Sequence, residues 1–314
     1  MRPTPRLSSA SAYPVTSATA LLAVIATLGY LGGWDATPLL MDRHAFSAQP
    51  WRLVTSALPH GDPFHLLFNL YWLWVFGTAL EERLGRLALL GLFTVLAVAS
   101  SAAEYAVGDG GIGLSGVGYG LFGLLYALRR DPRFEGTIDS RTVQLFIAWF
   151  FVCIALTYAK LWQIGNTAHG VGAVLGFVIG HAVAARRRRA TAGVTLISAL
   201  AVAIIAGSFV SATRFRPYLN LSEDAGLEDG QLGYEALGEN KDAEAITHFE
   251  RAVRLSPKQP TLWYNLGVAY HRTGQLEPAA NAFRRAAALE PGNPTYAEAA
   301  RDWDGVIPPA PSTD

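Results

Sequence analysis

Four polar side chains stand in stretches of the chain that are otherwise apolar: His65 and Asn69, Ser115, and His169. Together their types suit one chemistry, nucleophilic attack on an acyl carbon. A serine hydroxyl is a weak nucleophile until a base takes its proton, and His169 is the imidazole expected to do so for Ser115. The oxyanion formed by the attack needs hydrogen-bond donors. The spacing His65-x-x-x-Asn69 puts an imidazole and a carboxamide on one helical face, and the backbone N–H of Ser115, at the start of a helix, is a third donor. Tyr119 lies four residues after Ser115 on the same face and is expected to pack against the imidazole. Glu104 falls at the end of an apolar stretch and Asp109 in a loop, so neither carboxylate completes a triad, and the expected unit is a Ser115–His169 dyad.

Other chemistries fit less well. His44, His60 and His65 fall in or near one loop, but HGDPFH lacks the H-E-x-x-H spacing of a zinc hydrolase. Cys153 is the single cysteine, which excludes an internal disulfide and a zinc site of paired thiolates. No metal and no cofactor is expected. Paired aspartates within apolar stretches, the requirement for aspartyl chemistry, are absent. With 25 Lys+Arg against 25 Asp+Glu the chain has no basic excess, and nucleic acid is excluded as a partner.

The 314 residues are 51% hydrophobic and 16% charged, against about a quarter charged in a soluble domain. The charges are split unevenly: residues 1–212 hold 25 of them and residues 213–314 the other 25. That pattern predicts a membrane part followed by a water-exposed one. Seven apolar stretches approach the roughly 20 residues that a bilayer core requires, at about 15–33, 65–80, 87–107, 115–128, 143–159, 167–185 and 193–212. A signal peptide at the first is disfavoured, because LGYLGGWDA offers no small-x-small cleavage site. Twelve arginines (Arg2, Arg6, Arg83, Arg86, Arg129, Arg130, Arg133, Arg141 and Arg186 to Arg189) fall on one side of the membrane, against Arg43, Arg52 and Lys160 on the other. By the positive-inside rule the N-terminus is predicted cytoplasmic, and after seven spans the tail emerges outside. The second, fourth and sixth spans then run inward, which brings His65, Asn69, Ser115 and His169 to similar depth near the outer face. The fourth stretch, of about 14 residues, spans only about 21 Å, so Ser115 is expected below the outer surface with GDGGIG descending to it. Gly172 and Gly176 share a face with His169, and Gly116, Gly120 and Gly123 give the fourth span a small face in return.

The tail contains a 34-residue repeat. Trp263, Leu266, Gly267, Tyr270, Gly274, Ala279, Phe283, Ala286 and Pro291 follow the tetratricopeptide pattern, and Ala245, Phe249, Ala252 and Pro257 recur one period earlier. The earlier copy has Ala236 in place of the aromatic and Asn240 in place of the glycine. The expected organisation is a short N-terminus (1–14), a seven-span membrane domain (15–212), a linker (213–225), two repeats with a capping helix (226–303) and a disordered end (304–314). The fold class is all-α, a polytopic membrane bundle followed by a helical repeat domain.

Residues 51–180 resemble the rhomboid family of intramembrane serine proteases. The resemblance rests on Trp51-Arg52, on HLLFNLYWLWVFGTALEERLG with His65, Asn69 and Glu81, on GLSGVGYG with Gly113, Ser115 and Tyr119, and on AHGVGAVLG with His169, Gly172 and Gly176. It implies a Ser–His dyad, an oxyanion hole built partly by the second-span His and Asn, a first loop lying partly in the membrane and a gating fifth span. It also implies single-span membrane proteins as substrates, cut near the outer end of their spans. The expected partners are such substrates, the lipid bilayer, and a peptide or protein bound by the repeats. The compact loops and Arg/Ala-rich composition suggest a bacterial inner or plasma membrane. The competing reading is a catalytically silent scaffold that binds transmembrane segments and recruits partners through its repeats; a transporter would need charged residues along a mid-membrane path.

Overall fold

The computed structural model describes residues 5–108, 110–187, 191–220, 222 and 225–304, so Arg2, Asp109, Arg188, Arg189 and the end from 305 lie outside the described residues. Every regular element among those described is helical. The chain divides into two units, Met1–Asn220 and Leu221–Asp314.

The first unit is an antiparallel bundle of α1 (Pro14–Leu31), α2 (Pro63–Trp72, continuing through a π turn Leu73–Gly77 to Thr78–Leu84), α3 (Arg86–Val107), α4 (Ser115–Leu128), α5 (Ser140–Tyr158), α6 (Asn166–Arg187) and α7 (Thr191–Val210). Five of these helices, α1, α3, α5, α6 and α7, are long and apolar enough to cross a membrane. Their outward side chains are apolar: Leu21 and Ile25 on α1, Phe151 on α5 and Leu196 on α7 are all exposed. A lipid solvent requires such a surface, and the molecule is an integral membrane protein.

Helix starts and stops follow local chemistry. Asp62 caps α2 by accepting from the His65 N–H at 2.8 Å with Pro63 in the first turn, and Asp139 caps α5 through the Thr142 N–H at 2.8 Å. Gly85, at φ +87°, breaks α2 from α3. The π turn rotates the faces of α2 on either side of it relative to one another: His65 and Asn69 precede it, and Glu81 follows it. The Glu81 carboxylate accepts from the Val15 and Thr16 N–H groups at 2.9 Å each and from Thr16 Oγ1 at 2.7 Å, capping α1 from a neighbouring helix. At its other end α1 is tied in through Thr27, whose Oγ1 accepts from the His60 N–H at 3.1 Å.

Beyond Val210 the last helix runs on through a π turn, Ser211–Phe215, and a further turn, Arg216–Leu219, so residues 213–219 of the expected linker are helical. Two contacts hold this extension. Phe209 and Ala212 pack in the apolar cluster of Met41, Ala45, Leu53, Ala102, Tyr105 and Ala106. The Arg216 guanidinium lies over the Tyr105 ring and donates to the Tyr105 and Gly108 carbonyls.

The second unit consists of α8 (Leu227–Gly238), α9 (Asp242–Leu255), α10 (Pro260–Arg272), α11 (Leu276–Leu289) and α12 (Pro294–Asp304). Its period is physical. A Cβ at Gly233 would lie 2.9 Å from the Phe249 ring, and one at Gly267 would lie 2.7 Å from the Phe283 ring, so each glycine admits the aromatic of the paired helix. The turns between paired helices need a left-handed residue, supplied by Asn240 (φ +59°) and Gly274 (φ +75°). Burial raises the Asp229 carboxyl above its ordinary value, opposed by Arg251 at 3.1 Å and His248. Tyr296 of α12 packs against Tyr264 at a tilt of 40°, with centroids 5.3 Å apart.

Candidate active site

α4 is the central helix of the membrane unit, with Gly116, Val117 and almost every residue from Tyr119 to Leu128 buried. The reason is a run of small residues that brings main chain against main chain. A Cβ on Gly172 would lie 2.1 Å from the Gly116 carbonyl oxygen, one on Gly176 1.9 Å from that of Gly120, and one on Gly123 2.1 Å from that of Ala173. α4 and α6 therefore touch through their backbones, which fixes Ser115 at the start of one helix beside His169 in the first turn of the other. Ser115 itself is half-buried, and its N–H belongs to a first turn with no intrahelical partner.

The approach to Ser115 is held by His60. Its Nε2 accepts from the Leu114 N–H at 3.2 Å, which leaves the proton on Nδ1, within 2.9 Å of the Leu58 carbonyl. The Gly113 N–H donates to the Ser56 carbonyl at 3.2 Å. Gly113 has φ +104°, and a Cβ there would meet His65 Cε1 at 2.6 Å and His60 Cδ2 at 3.2 Å, so both imidazoles close over a position that only glycine fills. The His65 ring stands edge-on to His60, with centroids 4.8 Å apart. Asn69 is buried, donates from Nδ2 to the His65 carbonyl at 3.0 Å, and has its Oδ1 next to Gly118 of α4.

His169 is 3% exposed and lies flat on Tyr119, with centroids 4.6 Å apart and an interplanar angle of 25°. Tyr119 is anchored in turn by its hydroxyl, which donates to the Phe146 carbonyl of α5 at 3.1 Å. Neither ring nitrogen of His169 has a hydrogen-bond partner, and among the described residues no hydrogen bond joins it to Ser115. The dyad expected from the sequence requires the pair within hydrogen-bond reach. In the structure the ring lies along Tyr119 and makes no hydrogen bond to the serine; catalytic hydrogen bonds are often long or poorly aligned before substrate is bound.

The remaining predicted residues lie farther out. Arg52 is buried and pairs with Asp42 at 2.5 Å, while the exposed Trp51 donates from Nε1 to the Pro38 carbonyl at 3.1 Å; both fasten the loop before α2. Glu81 serves the opposite end of the bundle. His44 pairs with Asp42, and among the described residues no group of three or more His, Cys, Asp or Glu is placed to hold a metal. His60 is the residue that sequence reasoning misses, since it is weighed there only as a metal ligand. A signal for it exists in retrospect, a histidine beside two prolines and a glycine at the mouth of a span. His60→Ala should lower unfolding stability in detergent by about 3 kcal/mol, because it empties a fully buried site and orphans the Leu114 N–H.

A family model described as a rhomboid domain matches residues 47–186, and two tetratricopeptide-repeat models match residues 234–274 and 260–293. The rhomboid protease GlpG of Haemophilus influenzae is 33% identical over 169 residues, 52% of this chain and 86% of that protein. The proteins of the same name from an Enterobacter species and from Yersinia pestis are 32% and 34% identical over 148 and 137 residues. Those alignments take in 45% and 42% of this chain and about half of each relative, 51% and 47%.

Proposed function

Because the chain belongs to the rhomboid family and carries tetratricopeptide repeats after its membrane unit, we propose that it is an intramembrane serine endopeptidase. Its substrates are single-span membrane proteins, cut near the outer end of their spans. Ser115 Oγ attacks the scissile carbonyl carbon as His169 takes its proton; the oxyanion is met by the Ser115 N–H, His65 and Asn69. His169 then gives that proton to the leaving amine, and water repeats the sequence on the acyl-serine to release the second product and restore Ser115. No metal or cofactor enters the scheme.

The observation that supports this reading best is His169. A buried imidazole with both nitrogens unpaired is costly and asks for an explanation. A base that acquires its partners with substrate supplies one. The second reading, a silent scaffold that binds transmembrane segments, has in its favour that no hydrogen bond joins Ser115 to His169 among the described residues.

The topology follows the same logic. The ends of α1, α3 and α7 and the starts of α2, α4 and α6 gather at the Ser115 end, while Arg6, Arg83, Arg129 and Arg133 lie at the other. The arginine-rich end is cytoplasmic. The chain leaves the membrane unit at the Ser115 end, through Arg216, so the repeats are extracytoplasmic, where they recruit a substrate or partner protein. The relatives compared are bacterial, in keeping with an inner-membrane location.

Proteoliposomes with a single-span test substrate decide between the readings. Cleavage mapped to the outer boundary of the substrate's span, with fluorophosphonate labelling of Ser115, is the expected result. Folded protein that neither cleaves nor labels would establish the scaffold.

A further inference from the structure

Glu104 is a carboxylate that the scheme above does not use. It is half-buried near the end of α3, in a setting where an ionised group is costly unless paired. Among the described residues it pairs with no imidazole. Its Oε2 accepts from the Ala168 N–H at 2.9 Å, with the Thr167 N–H contributing, so it caps the start of α6 from a neighbouring helix. First-turn N–H groups have no intrahelical partner, and an anion there is favoured by charge-assisted hydrogen bonding and the helix dipole.

The same side chain borders both segments that carry the dyad. Its Cγ would lie 3.2 Å from a Cβ at Gly111, in the loop descending to Ser115, and its Cδ 3.3 Å from a Cβ at Gly165, just before α6. Ala168 directly precedes His169, and its Cβ would be 3.3 Å from a Cβ at Gly116, which directly follows Ser115. α3 also supports α4 here, since Ser100 Cβ would lie 2.8 Å from a Cβ at Gly116. One helix end thus sets where both dyad segments begin.

We propose that Glu104 is a positioning residue: its carboxylate fixes the start of α6 against α3 and thereby the place of His169 relative to Ser115. The proposal rests on the protease reading. A group acting this way changes the chemical step more than substrate binding, because small misplacements of a base cost rate steeply.

The test uses the full chain in proteoliposomes, comparing wild type, Glu104→Ala and Glu104→Gln. Rates are normalised to sites labelled by fluorophosphonate, and amide exchange is followed over residues 160–172. In Glu104→Ala, kcat per labelled site should fall about 30-fold with KM within about threefold, and Thr167 and Ala168 should exchange at least about tenfold faster. Glu104→Gln keeps an acceptor oxygen and should recover kcat to within about fivefold of wild type. A role in folding alone would reduce the number of labelled sites and leave kcat per site unchanged. The proposal is overturned if Glu104→Ala keeps kcat per site within twofold of wild type. If wild type neither cleaves nor labels, the protease reading fails by itself, and unchanged exchange at Thr167 and Ala168 then removes the structural tie as well.

Discussion

Ser115→Ala and His169→Ala are each expected to reduce cleavage by about 10⁴-fold or more, and the double variant to be no slower than the worse of the two. The two side chains work as one unit. Without the hydroxyl there is nothing for the imidazole to deprotonate, and without the imidazole the hydroxyl keeps its proton. What survives is the contribution of the oxyanion donors and of substrate binding. Neither substitution should unfold the bundle, because Ser115 is half-buried and His169 makes no hydrogen bond that its loss would orphan. The check is initial rate per folded molecule in proteoliposomes. Additive losses in the double variant would show two independent roles and sink the dyad.

A larger effect on stability is expected from adding one carbon at Gly176. The Cβ of Gly176→Ala would stand 1.9 Å from the Gly120 carbonyl oxygen and 2.7 Å from its carbonyl carbon. These are main-chain atoms of a buried helix and cannot rotate aside, so α6 must move from α4. Overpacking of this kind should cost about 3 kcal/mol or more, and by displacing His169 from Ser115 it should remove cleavage too. Gly91→Ala is the control. Gly91 lies in α3 with nothing within 4 Å of an added Cβ, and alanine there should be neutral or stabilising by up to about 1 kcal/mol. Unfolding midpoints of the two variants in one detergent measure the contrast.

Much of this architecture was legible because membranes enforce simple rules. Apolar length marks the spans, and parity of the spans alone brings His65, Ser115 and His169 to one end. The glycines of α4 and α6 could be read as a contact because small residues at four-residue spacing have few other uses. Periodicity located the repeats, down to Asn240 standing in for the left-handed glycine. The polar connections between distant segments were not legible. Glu81 capping α1, Glu104 capping α6 and His60 holding Leu114 join residues 54 to 66 positions apart, and nothing in local spacing ties such partners together. The anchor of the Tyr119–His169 stack, a hydrogen bond from the Tyr119 hydroxyl to the Phe146 carbonyl of α5, was also out of reach.

The extension of α7 bears on how the molecule is made. Chains are synthesised from the N-terminus, and the parts made first pack first. His169 and every predicted site residue are synthesised before Phe209, Ala212 and Arg216. Yet these three supply the last wall around Met41, Leu53 and Tyr105 and the anchor on the Tyr105 and Gly108 carbonyls, at the start of the segment leading to Ser115. Biogenesis therefore ends where the chemistry is assembled: the membrane unit reaches its mature packing only after its final helix has been inserted, when synthesis is already moving into the repeats.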